Sequence, residues 1–165
     1  MYFAADYFSP IGKILIASDG EAVCGLWFYG QKHFPSFDNL VFDELAIFDK
    51  VRHWLDDYFK GDNPEIDFRL NPDGTDFRMK VWKILCEIPY GETVTYGEIA
   101  SRLSNTMSAQ AVGGAVGHNP IAILIPCHRV LGSGGKLTGY AGGIERKIEL
   151  LKLENEKFDN LAYLD

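Results

Sequence analysis

The segment from Asn119 to Val130 carries the strongest chemical signal in the chain. Asn119-Pro120 leads into the apolar run Ile121-Ala122-Ile123-Leu124-Ile125, which ends at Pro126-Cys127-His128-Arg129-Val130. An apolar run this short fits a buried strand or core segment. Pro126 halts it and delivers a thiol and an imidazole in succession. A cysteine held beside an ionisable base suits nucleophilic chemistry, because the thiolate attacks and the thiol does not. A free cysteine, with a pKa of about 8.5, is only ~3% thiolate at pH 7. Complete ionisation therefore gains at most about 30-fold, roughly 2 kcal/mol. Part of that gain is lost because a thiolate of lower pKa is a weaker nucleophile. Adjacent side chains of an extended chain point opposite ways, so His128 must act through a water or a bend. Cys24, in a strand-like run, and Cys86, in an amphipathic helix, read as buried, inert hydrophobes. Three widely spaced cysteines give no disulfide framework, and a reducing cytoplasm is the expected location.

The elements that must position this segment can be traced along the chain. Segments 1–9, 12–18 and 22–29 are rich in aromatic and β-branched residues, separated by Ser9-Pro10 and Asp19-Gly20, as in a meander. After a looser stretch, 30–42, helical spacing links Leu45, Phe48, Val51, Leu55 and Tyr58, and Gly61-Asp62-Asn63-Pro64 ends that helix. A short strand is expected near 66–70. Asn71-Pro72-Asp73-Gly74 is the linker candidate, dividing 1–73 from 74–165. Thr75 can cap a helix whose apolar face is Phe77, Val81, Ile84, Leu85 and Ile88. Thr95-Tyr96-Gly97-Glu98 has the capping-box pattern and starts a short helix through about Leu103. A turn at Ser104 to Met107 and a second short helix from Ser108 to Val116 complete a helix-turn-helix silhouette. Ala109, Ala111, Gly113, Gly114, Ala115 and Gly117 make that second helix unusually slim. Small residues suit either tight helix packing or close approach to a DNA minor groove, which is only ~6 Å wide.

Composition bounds the rest. At 165 residues, 47% hydrophobic and 24% charged, the chain is ordinary globular material for one large domain or two small ones. No apolar run approaches a membrane span, and the N-terminus has no secretory pattern. The net charge of −7 lies in the first half: residues 1–75 hold six Lys/Arg against thirteen Asp/Glu, and residues 76–165 hold ten of each. A strong electrostatic attraction to DNA is excluded, and any nucleic-acid binding belongs to the neutral second half.

Pro126-Cys127-His128-Arg129-Val130 resembles the active-site signature of the O6-alkylguanine-DNA alkyltransferases, the methylated-DNA–protein-cysteine methyltransferases. The resemblance runs from about Gly74 to Glu154. It includes Ile88-Pro89-Tyr90-Gly91-Glu92-Thr93, Thr95 to Ala100, Ala111 to Ala115, Asn119-Pro120 and Leu137-Thr138-Gly139-Tyr140. The implied fold is an α/β N-terminal domain with a ribonuclease-H-like sheet, then a mostly α winged-helix or helix-turn-helix-type domain. The implied function is suicide repair. A monomer binds double-stranded DNA containing O6-alkylguanine through the minor groove and flips the base out. The alkyl group, with O4-alkylthymine as a second candidate source, moves to Cys127 without a cofactor or metal, and the thioether is not regenerated.

The resemblance also implies roles. Cys127 is the nucleophile. His128 takes its proton through water, and Glu154 holds the imidazole charged and oriented. Tyr96 donates to the base as negative charge builds. Asn119 ties the active-site turn to the helix-turn-helix. Tyr140, Ala141 and Gly142 close over the flipped base, and the Val130 carbonyl meets its amino group. Ala109, Gln110, Ala111, Gly113 and Gly114 face the DNA. Arg129 reads as structural, and Lys147 matches a basic residue near the family's site. Judged by neighbours alone, Glu154 reads equally as a solvated face, Asn119 as a turn former and Tyr96 as an ordinary first-turn residue.

Two departures stand out. Gln110 occupies the place of an arginine that fills the stack after flipping, so DNA binding should be weaker and less salt-sensitive. Arg78 replaces a more usual glutamine. Some relatives hold zinc in the first domain. Here Cys24 and His33 fall short of a tetrahedral set, so no structural zinc is expected. A lesion-binding protein without transfer is argued against by the presence of Cys127. A thiol hydrolase lacks any further signature. A sequence-reading regulator lacks Arg or Asn on the recognition helix.

Overall fold

Aromatic and β-branched residues favour a pleated, half-buried surface, and the first three segments form an antiparallel meander. A computed structural model of the chain describes residues 1–161. In it β1 (Tyr2–Ser9) pairs with β2 (Gly12–Ser18), and β2 with β3 (Val23–Phe28). Gly12 turns the first hairpin at φ +134°, a conformation open to glycine. The loose stretch contains a strand not foreseen, β4 (Leu40–Phe42), parallel to β1. Three residues are too few to show alternation. The sheet order is β3-β2-β1-β4. The strand expected near 66–70 is only a bridge between Leu70 and Val23. Asn71 N–H closes that contact on the Val23 carbonyl at 2.8 Å, and Pro72 has no N–H to extend it.

Helix α1 (Ala46–Phe59) buries Phe48, Val51, Trp54, Leu55 and Tyr58 on one face. The two caps read from sequence, Thr75 and Thr95, are made, and Ser108 adds a third. The hydroxyl of Thr75 accepts from Arg78 N–H at the start of α2 (Asp76–Leu85), at 3.2 Å. That of Thr95 accepts from Glu98 N–H before α3 (Tyr96–Leu103), at 3.1 Å. Ser108 does the same for Ala111 N–H before α4 (Ala109–Gly117), at 3.0 Å. Each such cap is worth about 1 kcal/mol. Two-residue strands β5 (Val94–Thr95) and β6 (Val130–Leu131) pair in parallel, and α5 (Ile144–Glu154) follows.

The apolar run is core but not strand. Ile121 bridges Leu26 at the edge of β3: Leu26 N–H donates to the Pro120 carbonyl at 2.8 Å, and Ala122 N–H to the Leu26 carbonyl at 3.0 Å. The chain then turns, with Ile123 at φ +68°. A β-branched residue adopts that conformation at a cost of order 1–3 kcal/mol. Burial of all five side chains offsets it. Cys127–Arg129 form one 3₁₀ turn, so Cys127 and His128 are not on opposite sides of an extended chain as expected.

The run also joins the two halves. Phe48, Leu55 and Tyr58 of α1 share one core with Trp82, Leu85, Ile121, Ile125 and Leu150. Trp82 Nε1–H donates to the Ala115 carbonyl at 2.8 Å and locks α2 to α4. The other two cysteines are less buried than expected. Cys24 is half-buried and Cys86 is exposed, because Cys86 lies beyond the buried stripe of α2 at its C-cap.

Candidate active site

Asn119 is the first positioning element. It is buried, its side-chain carbonyl accepts from Ile121 N–H at 3.0 Å, and its amide donates to the Ile125 carbonyl at 2.8 Å. One side chain thus ties the end of α4 to both ends of the apolar turn. Pro126 and Cys127 follow directly. The Cys127 side chain is 5% exposed, and burial pushes its thiol pKa up, against partial opposition from Asn119, Lys147 and Tyr140. At rest it is a thiol.

Behind it lies a saturated carboxylate. Glu154 is buried, not solvated, and its two oxygens accept from five donors. His128 Nε2–H and the Tyr58 hydroxyl approach at 2.6 Å, Arg129 Nε–H at 2.7 Å, Gly91 N–H and Arg129 Nη2–H at 3.1 Å. Burial raises its pKa, but His128 and Arg129 outweigh burial and hold the carboxyl well below the usual range. Burial holds the His128 pKa down, and Arg129 and Lys147 add to that against the pull of Glu154. Burial thus favours a neutral imidazole at rest, and Glu154 opposes it. Arg129 is the counter-charge of Glu154. The Nε2 proton faces the carboxylate, and among the described residues Nδ1 has no partner, so its lone pair is open to them.

The other side of Cys127 opens into a cleft of about 1090 Å³ lined in part by Tyr96, Gln110, Gly113, Gly114, Cys127 and Tyr140. Ala109 and Ala141 also line it. Ala111 is exposed on α4 outside the lining, Val130 is buried in β6, and Gly142 is buried behind the loop. A Cβ at Gly142 would come within 2.7 Å of the Tyr140 ring and 3.1 Å of Phe28, so glycine is required there. Helix α4 is packed on one side and open on the other. Val112 and Ala115 are buried in packing, Gly113 faces the Tyr96 ring, and Gly114 meets nothing within 4 Å.

Thr138 Oγ1–H donates to the Tyr96 oxygen at 3.3 Å, so the phenol keeps its own proton to give. Burial raises the Tyr96 pKa. The Tyr140 hydroxyl is buried and has no hydrogen-bond partner among the described residues. Lys147 is fully buried, with one long contact, Nζ to the Thr138 carbonyl at 3.5 Å. Burial pushes its pKa down to about 8, opposed by Cys127. Sequence reasoning missed Tyr58, a helix-core residue 96 positions from the carboxylate it holds, and Thr138. It also missed the clamp made by Arg129. Nothing local marks such long-range partners. Among the described residues no group of three metal-binding side chains gathers.

This arrangement fits relatives along the whole chain. Residues 76–156 match the 6-O-methylguanine DNA methyltransferase, DNA binding domain, and residues 3–72 match the ribonuclease-like domain of the same methyltransferases. A methylated-DNA–protein-cysteine methyltransferase of Haemophilus influenzae is 47% identical over 96% of this chain and 87% of its own length. The Mycobacterium tuberculosis protein of that name is 48% identical over 90% of each chain. The crystal structure of the M. tuberculosis O6-methylguanine methyltransferase covers 100% of this chain and 97% of its own, with a TM-score of 0.85 and 45% identity. The same protein in complex with DNA has a TM-score of 0.83, at 46% identity, over 94% and 93% of the two chains. The chain belongs to the methylated-DNA–protein-cysteine methyltransferase family.

Proposed function

We propose that this protein repairs DNA by moving the alkyl group of O6-alkylguanine to Cys127, once per molecule. The observation that carries this reading is the buried Cys127 thiol at the cleft wall, with the His128–Glu154 pair beside it. A water between Sγ and Nδ1 takes the thiol proton to the neutral imidazole, and Glu154 stabilises the imidazolium that forms. Sulfur then attacks the alkyl carbon. The S–C bond forms, the C–O6 bond breaks, and its electron pair stays on guanine. Tyr96 gives a hydrogen bond and then a proton to the departing base, and solvent restores it. The product thioether has no ionisable sulfur, so turnover ends.

Lys147 holds positive charge near the sulfur as the thiolate develops. Asn119 sets the turn, the Tyr140–Gly142 loop covers the extruded base, and the Val130 carbonyl receives its amino group. Alkyl transfer by this route needs no cofactor. Duplex DNA enters as a monomer complex with the minor groove over α4. Gln110, exposed at the cleft, fills the gap left by the flipped base, which costs a few kcal/mol to extrude. The domain division is proposed at 73/74, in the extended stretch before α2; the last four residues of the second part lie outside the described ones.

Intact-protein and peptide mass spectrometry after mixing with a duplex containing one O6-methylguanine tests the reading. One methyl group on the Cys127 peptide, saturating at one per protein and absent from Cys127→Ala, is expected. Lesion binding with no mass gain would contradict it.

A further inference from the structure

Basic side chains are scarce in a chain of net charge −7, yet one lysine and two histidines gather at the cleft mouth. Lys32 and His33, from the loop between β3 and β4, line the cleft together with His118 at the end of α4. The His33 and His118 rings stack at 4.0 Å with a 27° interplanar angle. His33 holds a left-handed backbone, φ +61°. Lys32 N–H donates to the Ala141 carbonyl at 3.0 Å, tying this loop to the loop over Cys127. His118 Nδ1–H donates to the Gly114 carbonyl at 2.7 Å, which leaves Nε2 for another partner. Arg78 of α2 lies within electrostatic reach of His33. Among the described residues none of these four is ion-paired with a carboxylate.

We propose that Lys32, His33, Arg78 and His118 form a phosphate-binding rim that takes a backbone phosphate of duplex DNA at the mouth of the cleft. The inference rests on the DNA-repair reading above and extends the contact from α4 to the N-terminal half. Two imidazoles in van der Waals contact repel if both are protonated, and an anion between or beside them removes that repulsion. Burial lowers the His33 pKa first, and His118, Lys32 and Arg78 lower it further. These are the charged groups facing it from its own loop, from α4 and from α2. A phosphate reverses the three charge effects, so DNA binding draws in protons.

The test is anisotropy of an undamaged labelled duplex against the full chain, over a range of salt and from about pH 7.5 to about pH 5.5. Lys32→Ala and Arg78→Gln should each weaken binding and lower the slope of log K against log salt by about one. Wild-type affinity should rise at least about threefold on acidification. The double variant His33→Gln, His118→Gln should lose most of that rise. Melting curves confirm that the variants are folded, since all four side chains lie at the surface or cleft. Unchanged slopes, or a double variant with the wild-type pH response, overturn the rim while leaving the repair reading intact. A wild-type chain that binds neither this duplex nor one with O6-methylguanine overturns the repair reading and the rim with it.

Discussion

Two polar clusters share the active centre and are finished to different degrees. Around Glu154 every hydrogen-bonding position is filled, by His128, Arg129, Tyr58 and Gly91. Around Cys127 the groups are short of partners: among the described residues His128 Nδ1 and the Tyr140 hydroxyl have none, and Lys147 has one long contact. The first cluster is complete without substrate and fixes the base in one tautomer and place. In the proposed reaction the second takes its partners from the water, thiolate and guanine. A fixed network needs no reorganisation during transfer, which is how preorganised electrostatics lowers a barrier. Unmet groups beside the sulfur cost stability when the site is empty.

The comparison can be broken by substitution, and the largest effect belongs to Cys127. Cys127→Ala abolishes methyl uptake by mass spectrometry while leaving duplex binding in place. Glu154→Gln dismantles the finished cluster. It leaves the Arg129 charge buried without its partner, so urea unfolding should show a loss of about 3–5 kcal/mol, and transfer should slow by about 100-fold or more. The folded Glu154 carboxyl stays ionised below the ordinary glutamate range. Its stabilisation is therefore complete above about pH 4.3 and declines as pH falls toward the folded value. Wild type should lose stability in that acid window, and Glu154→Gln should lose less.

Tyr96→Phe removes the proton offered to guanine and leaves packing intact. Single-turnover transfer should fall about 10-fold, roughly 1.4 kcal/mol, with the melting temperature unchanged. Lys147→Met tests the unfinished cluster from the opposite direction. Lys147 titrates at about 8 in the folded chain against 10.5 when free. The unfolded chain binds that proton more tightly, so wild-type stability rises with pH between those values. Lys147→Met should abolish that rise and be more stable at pH 7, yet transfer more slowly. Greater stability with unchanged transfer would remove Lys147 from the chemistry. The smallest change is Gln110→Arg, expected to tighten duplex binding and steepen its salt dependence by about one unit of slope.

What the sequence shows and what it hides divide along the same line. Thr75 and Thr95 are legible because capping is a local bargain between a hydroxyl and an N–H three residues on, and Ser108 makes the same bargain in the structure. The meander and α1 are legible because period and turn residues repeat over many positions. Cys127 and His128 are legible because proline, thiol and imidazole lie together at the end of an apolar run. The turn at Ile123 is not, since its left-handed backbone contradicts the residue's own preference and follows a segment held through Pro120 and Ala122 to Leu26 of β3. Strand β4 is hidden because it exists only by pairing with β1. Glu154 is undecidable from Glu154-Asn155-Glu156-Lys157, since its five donors come from α1, the Gly91 turn and the Cys127–Arg129 turn.

The central claim is that a neutral His128, fixed by Glu154, removes the proton from a buried thiol. The direct measurement is the single-turnover rate of methyl transfer to Cys127 against pH, in wild type and in His128→Gln. The expected result is a wild-type rate near its plateau at pH 7 and a variant slowed about 100-fold or more there, recovering as pH climbs toward the range of an unassisted thiol. A His128→Gln protein with the wild-type rate and pH profile would contradict the account.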